Sequence, residues 1–459
     1  MRPKLTVLIT SILFIVTCTH RAFAESRWAT TSGGTFDWNS AGNWSGSFPP
    51  ASADDVRITN DLGSAQLITN MGSSVGAGVT NAINFLAISN GLGSATVTVQ
   101  QGAGLFRTTF GMQVGKNATV ILTTNALIGT NSSLTFDLRP GGQAGTLILS
   151  NASPTSGFST FINNAGSGGI VNGGTIAFTP VNNQLVSINY GQVSAFTNNA
   201  NGTVVMNGSG TGAFIGNFGS NNRAFVNSGS IFARAGTLRI DSRDAFSRGG
   251  FQNGATGFIQ VDSGAVLELR RTTNSWVNGP AVTNFGTVFM NGGTMVALDL
   301  DGTAGNVIRT NTARTIANVG TFEGNGTLLG SINNLSGSTL APGFGFGTLN
   351  VGGGVTLGSN STLSIELGLL AGQNDLLAVI SNVTLNANSI LALSGGAVGN
   401  VYTVVTASAV SGIFGSVTPN YIVNYDPTDI TVQFVPEPST VLLAAMGLAG
   451  LVALRRRSS

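Results

Sequence analysis

Phe225-Val226-Asn227-Ser228-Gly229-Ser230-Ile231, Val282-Thr283-Asn284-Phe285-Gly286-Thr287-Val288 and Ile316-Ala317-Asn318-Val319-Gly320-Thr321-Phe322 are three versions of one phrase. An apolar residue, any residue and an asparagine precede a glycine step and a fresh apolar run. Looser copies stand at Ile88-Ser89-Asn90, Phe161-Ile162-Asn163, Phe196-Thr197-Asn198, Phe251-Gln252-Asn253, Ile332-Asn333-Asn334 and Ile380-Ser381-Asn382. From Phe196 to Ile316 successive copies are 29, 26, 31 and 34 residues apart. Repetition at this period marks a solenoid or an array, and the drift means that each unit carries its own loop insertions.

Between these steps lie short alternating runs such as Thr237-Leu238-Arg239-Ile240-Asp241, Val266-Leu267-Glu268-Leu269-Arg270 and Thr362-Leu363-Ser364-Ile365-Glu366. Leu, Ile or Val at every second position puts apolar side chains on one face of a strand and polar ones on the other. Strands of about five residues punctuated by Gly and Asn predict an all-β right-handed parallel β-helix whose coils stack at about 4.8 Å. Asparagine at a fixed turn position can hydrogen-bond its neighbours along the stack, and glycine can supply turns with positive φ. An array of β-sandwich modules also has short strands and frequent turns. The repeat length and the lack of tandem-domain linkers favour the solenoid.

Composition agrees with a β-rich chain. Only 8% of the 459 residues are charged, against roughly 25% in an average globular protein. Lysine occurs at Lys4 and Lys116 alone, so few amphipathic helices can be built. The 65 glycines follow no G-X-Y period, which excludes collagen. The formal charge of +2 belongs to the ends: between Glu25 and Phe434 there are 14 bases and 17 acids. No base lies between Arg314 and Arg455. A net negative body is not the electrostatic footprint of a nucleic-acid binder.

The single cysteine, Cys18, and the single histidine, His20, both fall in the first 24 residues. Those residues read as a secretory signal peptide, a signal helix with basic Arg2 and Lys4, an apolar run from Leu5 to Cys18, and small residues Ala22 and Ala24 at the cleavage site. Signal peptidase would leave Glu25 as the new N-terminus. The mature chain then has no thiol and no imidazole, which removes disulfides, His or Cys metal sites, Ser-His-Asp triads and Cys-His pairs. No cofactor is expected. Asp54-Asp55, Asp241 with Asp244, and Asp299 with Asp301 remain as carboxylates that could serve glycoside hydrolysis or Ca²⁺ binding.

At the other end Val435-Pro436-Glu437-Pro438 is followed by an apolar run from Val441 to Leu454 and then Arg455-Arg456-Arg457. The prolines hold the linker extended. The run predicts a short transmembrane helix, below the roughly 20 residues of a comfortable span, with the arginines retained on the cytoplasmic side. In these three parts the tail resembles the PEP-CTERM sorting signal of Gram-negative bacteria. The resemblance implies Pro436, Glu437 and Pro438 as the motif read by an exosortase, a transient stay in the inner membrane, and export to the cell surface or medium. It also implies exopolysaccharide as a candidate partner.

Gly324-Asn325-Gly326-Thr327-Leu328, Gly337-Ser338-Thr339-Leu340-Ala341-Pro342-Gly343 and Gly347-Thr348-Leu349 resemble the β-strand repeat of autotransporter passenger domains, a likeness extending over about residues 316–434. No room remains after Phe434 for the outer-membrane barrel of that family.

The segment 28–60 holds Trp28, Trp38 and Trp44, three of the four tryptophans. A cap over the open first coil is one reading, since an uncovered coil invites edge-to-edge growth. A glycan contact through Trp38 and Trp44 is the other, because flat amphipathic rings suit sugar surfaces. Sequons at Asn117, Asn207 and Asn360 permit glycosylation.

The chain thus divides into a signal peptide (1–24), a Trp-rich N-terminal cap (25–75), solenoid repeats (76–345), a C-terminal repeat and cap region (346–434) and a sorting tail (435–459). The expected function is that of an exported structural or adhesin-like protein of the surface or extracellular matrix, not an enzyme and not a binder of nucleic acid. A polysaccharide lyase or glycoside hydrolase on the same scaffold, and a carbohydrate-binding surface protein, are the alternatives.

Overall fold

The computed structural model describes residues 25–435, 443 and 445–450, except 48, 51–53, 59–63, 72–80, 89–94, 103–105, 124–125, 129–133, 136–144, 151–157, 165–169, 182–183, 191–195, 217–223, 245–249, 274–281 and 302–308. The expected signal helix lies outside these residues.

The repeated phrase folds as one corner of a three-strand coil. In the coil that begins at Phe225, a first strand Phe225–Asn227 is followed by Ser230–Ala233 and Thr237–Asp244. Each pairs in parallel with its counterpart in the next coil: Phe251–Asn253, Phe258–Asp262 and Val266–Thr273. Repetition builds three parallel faces. The first is a 16-stranded sheet that runs from Glu25–Arg27 to Ala409–Ser411. The protein is an all-β parallel β-helix.

Alternation puts the core inside. In Phe225–Asn227 and its counterparts the outer two residues are buried and the middle one is half-exposed. Inward side chains form columns along the axis, as in Ile176, Val204, Ile231, Ile259 and Val288 on the second face. Phe196 stacks on Phe225 at 4.5 Å between ring centroids and Phe225 on Phe251 at 5.4 Å, close to the spacing of adjacent strands.

The asparagine of the phrase is the other inward residue, and it forms a ladder. Asn172 donates from Nδ2 to Oδ1 of Asn198 at 2.8 Å, and Asn198 donates to Asn227 at 2.7 Å. Asn227 to Asn253, Asn253 to Asn284 and Asn284 to Asn318 are each 2.7 Å, and Asn318 to Asn334 is 2.6 Å. All seven are buried. An amide is suited to this because it carries donor and acceptor on one short side chain. Nδ2 also meets backbone carbonyls, Gly257 and Thr287 in the case of Asn253, so the buried amide is satisfied.

The ladder differs from the sequence expectation in its members. Asn172 belongs to it, although Ile170-Val171-Asn172 is not among the copies given above. Asn163 pairs with Asn189 in another strand ladder, and Asn382 is exposed on its strand. Asn90 lies outside the described residues.

In the coils of Asn253, Asn284 and Asn318 the glycine after the asparagine also has a different role from the one expected. Gly257, Gly286 and Gly320 are not in the positive-φ region. A Cβ at Gly286 would sit 2.1 Å from the Gly257 carbonyl oxygen and 2.4 Å from that of Gly254. The coils approach so closely here that no side chain fits. Positive φ is reserved for corners such as Gly292 at 81° and Gly324 at 101°.

The two ends close differently. At the N-terminal end, strands Glu25–Arg27 and Gly34–Asp37 already belong to the parallel faces, so the region 25–75 supplies the first coils as well as the aromatic plug. The solenoid passes residue 345 without a break, with Thr339–Pro342 and Thr348–Val351 stacked on neighbours at both sides. Besides a local antiparallel pairing of Thr287–Asp301 with Arg309–Ala313, the chain reverses at the far end. Asp429–Phe434 pairs antiparallel with Val401–Thr406 and Tyr421–Tyr425, covering the last coil.

Candidate functional site

Outward positions repeat as regularly as inward ones. On the second face Thr98, Thr119, Thr146, Thr175, Thr203 and Ser230 stand in register on six successive strands. Phe258 interrupts the column, and Thr287, Thr321, Thr339 and Thr362 resume it. Beside it run Ile121, Ile148, Ala177, Val205 and Phe232. The hydroxyl column is half-exposed, as are Ile121, Ile148 and Phe232 beside it, whereas Ala177 and Val205 are buried. No charged side chain occurs in the strands of this face from Val97–Gln101 to Ser230–Ala233. The result is a long, flat, neutral strip with one hydroxyl for each coil.

Charge is concentrated on the third face. Glu268 Oε2 takes Arg239 Nε at 2.9 Å and Arg270 at 2.6 Å. The strand register sets Arg239 opposite Glu268 and Asp241 opposite Arg270. Burial pushes the Asp241 carboxyl up to about 6, against the downward pull of Arg270 and Arg239. Because Glu268 engages two guanidiniums, the group is built as an ion-pair network across two coils. Asp244 and Asp301 both lie in register with Thr273, and Asp299 lies opposite Arg271. The side chains of Asp244, Asp299 and Asp301 lie outside the described residues.

The other carboxylates are tied into the framework. Asp54 accepts from Ser26 Oγ at 2.9 Å. Asp55 sits across from Glu25 in the first ladder, and burial raises its carboxyl. Asp375, which the sequence reading did not single out, is buried and spans two coils. It accepts from the backbone N–H of Gly347 at 3.2 Å and of Glu366 at 2.8 Å. Burial nevertheless carries it up to about 6. Among the described residues no three His, Cys, Asp or Glu side chains converge as a metal site would require.

Trp38 and Trp44, the candidate glycan contacts, are each 2% exposed. Their rings meet edge to face at 4.9 Å, and Trp28 meets Trp44 in the same way at 4.9 Å. Trp44 Nε1 donates to the Trp38 carbonyl, and Trp28 Nε1 donates to Gln66 Oε1. With the rings buried and the N–H groups of Trp28 and Trp44 bonded internally, the three tryptophans pack as a plug in the first coil. Asn117, one of the sequons, is also buried, whereas Asn207 and Asn360 are exposed.

Ala22, Ala24, Pro436, Glu437, Pro438, Arg455, Arg456 and Arg457 lie outside the described residues. The described part of the apolar tail is helical at 443 and 445–450. No described helix is long and apolar enough to cross a membrane.

Comparison with known protein families matches residues 434–457 to the PEP-CTERM protein-sorting motif. No curated protein matches the chain. The motif begins on Phe434, the last residue of the closing strand, so the sorting tail follows the solenoid directly. It marks an exported protein, handled by an exosortase from a membrane-anchored precursor in a Gram-negative cell.

Proposed function

We propose that the chain is a non-enzymatic structural protein of the cell surface or extracellular matrix, released from its anchor by exosortase processing and associated with exopolysaccharide. The observation that carries this reading is the junction itself: a sorting motif over residues 434–457 attached to the closing strand of a long parallel β-helix. Support for a polymeric partner comes from the second face. Its hydroxyl column and adjoining apolar column repeat from coil to coil, which suits an extended neutral glycan better than a small ligand in a pocket.

The test is made in cells. Mass spectrometry of the termini and fractionation should find the wild-type chain beginning at Glu25, shortened near Pro436–Pro438, and outside the inner membrane. A Pro436→Ala/Glu437→Gln/Pro438→Ala variant should keep its tail and stay with the inner membrane. Equal processing of both chains would refute the sorting half of the proposal. Turnover of neutral or acidic glycans by purified protein, lost in Asp241→Asn, would refute the structural half.

A further inference from the structure

Five large apolar side chains stand along one edge of the last coils. Phe344 is 75% exposed, Phe346 47%, Leu369 75%, Leu370 63% and Val398 64%. They occupy three successive corner turns, which follow strands Thr339–Pro342, Thr362–Leu367 and Ile390–Gly395. The turns are knit together. Phe289 packs on Phe344 at 5.2 Å between centroids, Asn400 Nδ2 donates to the Leu369 carbonyl at 3.1 Å, and the Tyr402 hydroxyl donates to that of Gly368 at 2.6 Å. No charged residue occurs in 343–347, 368–374 or 396–400.

This edge continues to the point where the chain leaves the solenoid. Val398 bridges to Phe434, and Phe434 packs against Tyr421 at 5.3 Å. The Val435 N–H, bonded to the Asn420 carbonyl, ties the exit to the solenoid. Beyond it stand Leu443, Met446 and Leu448, exposed on the tail helix. Eight residue steps from Val435 to Leu443 reach at most about 28 Å. Edge and tail helix therefore address the same neighbourhood.

We infer that this edge rests on the lipid bilayer that holds the tail, with Phe344, Phe346, Leu369 and Leu370 in the interfacial zone. The inference rests on the sorting reading, which supplies the membrane. Several features favour lipid over a protein partner. The side chains project from glycine-flanked turn tips, a shape suited to a fluid interface. Aromatic and aliphatic groups without charge partition there readily. The tether keeps the bilayer at high local concentration beside this edge. Ile380 and Ile413, exposed at 74% and 59%, lie in other turns and serve as internal controls.

The experiment uses the full chain inserted through its tail into phosphatidylcholine vesicles, with Leu369→Trp and Ile380→Trp compared over the parent chain. Brominated phosphatidylcholine should quench the new emission of Leu369→Trp about twofold or more beyond that of Ile380→Trp, with a blue shift. Equal or absent quenching in protein that floats with the vesicles would overturn the inference while leaving the anchor intact. A blue shift without bromine quenching would assign the edge to the tail helix or to a second copy, and would overturn it too. Protein that fails to float would remove the anchoring premise and the inference with it.

Discussion

The coils from Ile170 to Asn334 and those on either side share one backbone plan but fill the same inward position differently. In the middle stretch the position is asparagine seven times over. Toward the C-terminus Asn334 stacks on Leu357 and Leu357 on Leu385. Toward the N-terminus the first face carries Ile58, Ile88 and Val114 at successive inward sites. An aliphatic residue therefore suffices for the shape. Coil length varies in both: consecutive ladder asparagines are 16 to 34 residues apart, and on the same face toward the N-terminus the register partners Gln113, Thr135 and Val171 are 22 and 36 apart. A hydrophobic column tolerates several registers, whereas a buried amide is satisfied in one. The ladder fixes where each coil begins when the loops do not.

Breaking the ladder at its centre should have the largest effect. Asn253→Leu leaves the Asn227 amide, the Asn284 carbonyl and two backbone oxygens short of partners, at about 1–3 kcal/mol for each buried group left unsatisfied. A loss of about 4 kcal/mol is expected in urea denaturation. A loss below that of an ordinary Leu→Ala in the aliphatic coils would mean that the ladder contributes little.

The glycines sharpen the same contrast. Gly286→Ala forces a Cβ against two backbone carbonyls of the preceding coil's turn, and should cost about 3 kcal/mol. Gly264 has φ 77° with nothing within 4 Å of an added Cβ, so Gly264→Ala carries conformational strain alone, about 1 kcal/mol. Equal melting-temperature losses in the two variants would show that coil spacing is not what excludes side chains at Gly286.

Smaller still is the effect of charge on the third face. With its carboxyl at about 6, Asp241 binds a proton more tightly in the folded chain than in the unfolded one, where aspartate titrates near 3.9. Its stabilising share is complete below about pH 4 and is lost as pH rises to about 6. Asp375 changes in the same direction over the same window. Asp241→Asn should flatten the decline in stability from pH 4 to 7 by about 2 kcal/mol, read from denaturation midpoints across pH. An unchanged slope would place the dependence on Asp375.

The sequence made the coil legible because its phrase encodes two inward residues and a glycine that permits close stacking. Membership of the ladder was less legible. Phe161-Ile162-Asn163 and Ile170-Val171-Asn172 read alike locally, and only pairing with Phe196–Asn198 selects the second. The tryptophans were ambiguous for a related reason: a ring suits a core and a sugar face equally, and the contacts of Trp28, Trp38 and Trp44 decide. Asp375 gave no signal because its partners are backbone N–H groups. The sorting tail needed no tertiary information, since its order of Pro-Glu-Pro, apolar run and arginines is itself the feature.

The smallest expected effect tests whether the ladder ends at Asn334 by necessity. Asn334 has the turn of the aliphatic coils: Ser338 Oγ bonds the Leu335 carbonyl there, as Ser361 Oγ bonds that of Gly358 one coil later. Gly337 and Asn360 supply the positive φ of the two turns. The turn is thus compatible with either residue, and Asn334 Nδ2 meets its carbonyls at only 3.5 and 3.3 Å. Leu357→Asn would place an amide oxygen where Asn334 lacks one, offsetting part of the lost apolar burial. A net loss of about 1 kcal/mol is expected, against about 3 kcal/mol for Leu357→Ala. If Leu357→Asn proves as costly as Leu357→Ala, the turn and not the neighbouring amide sets the end of the ladder.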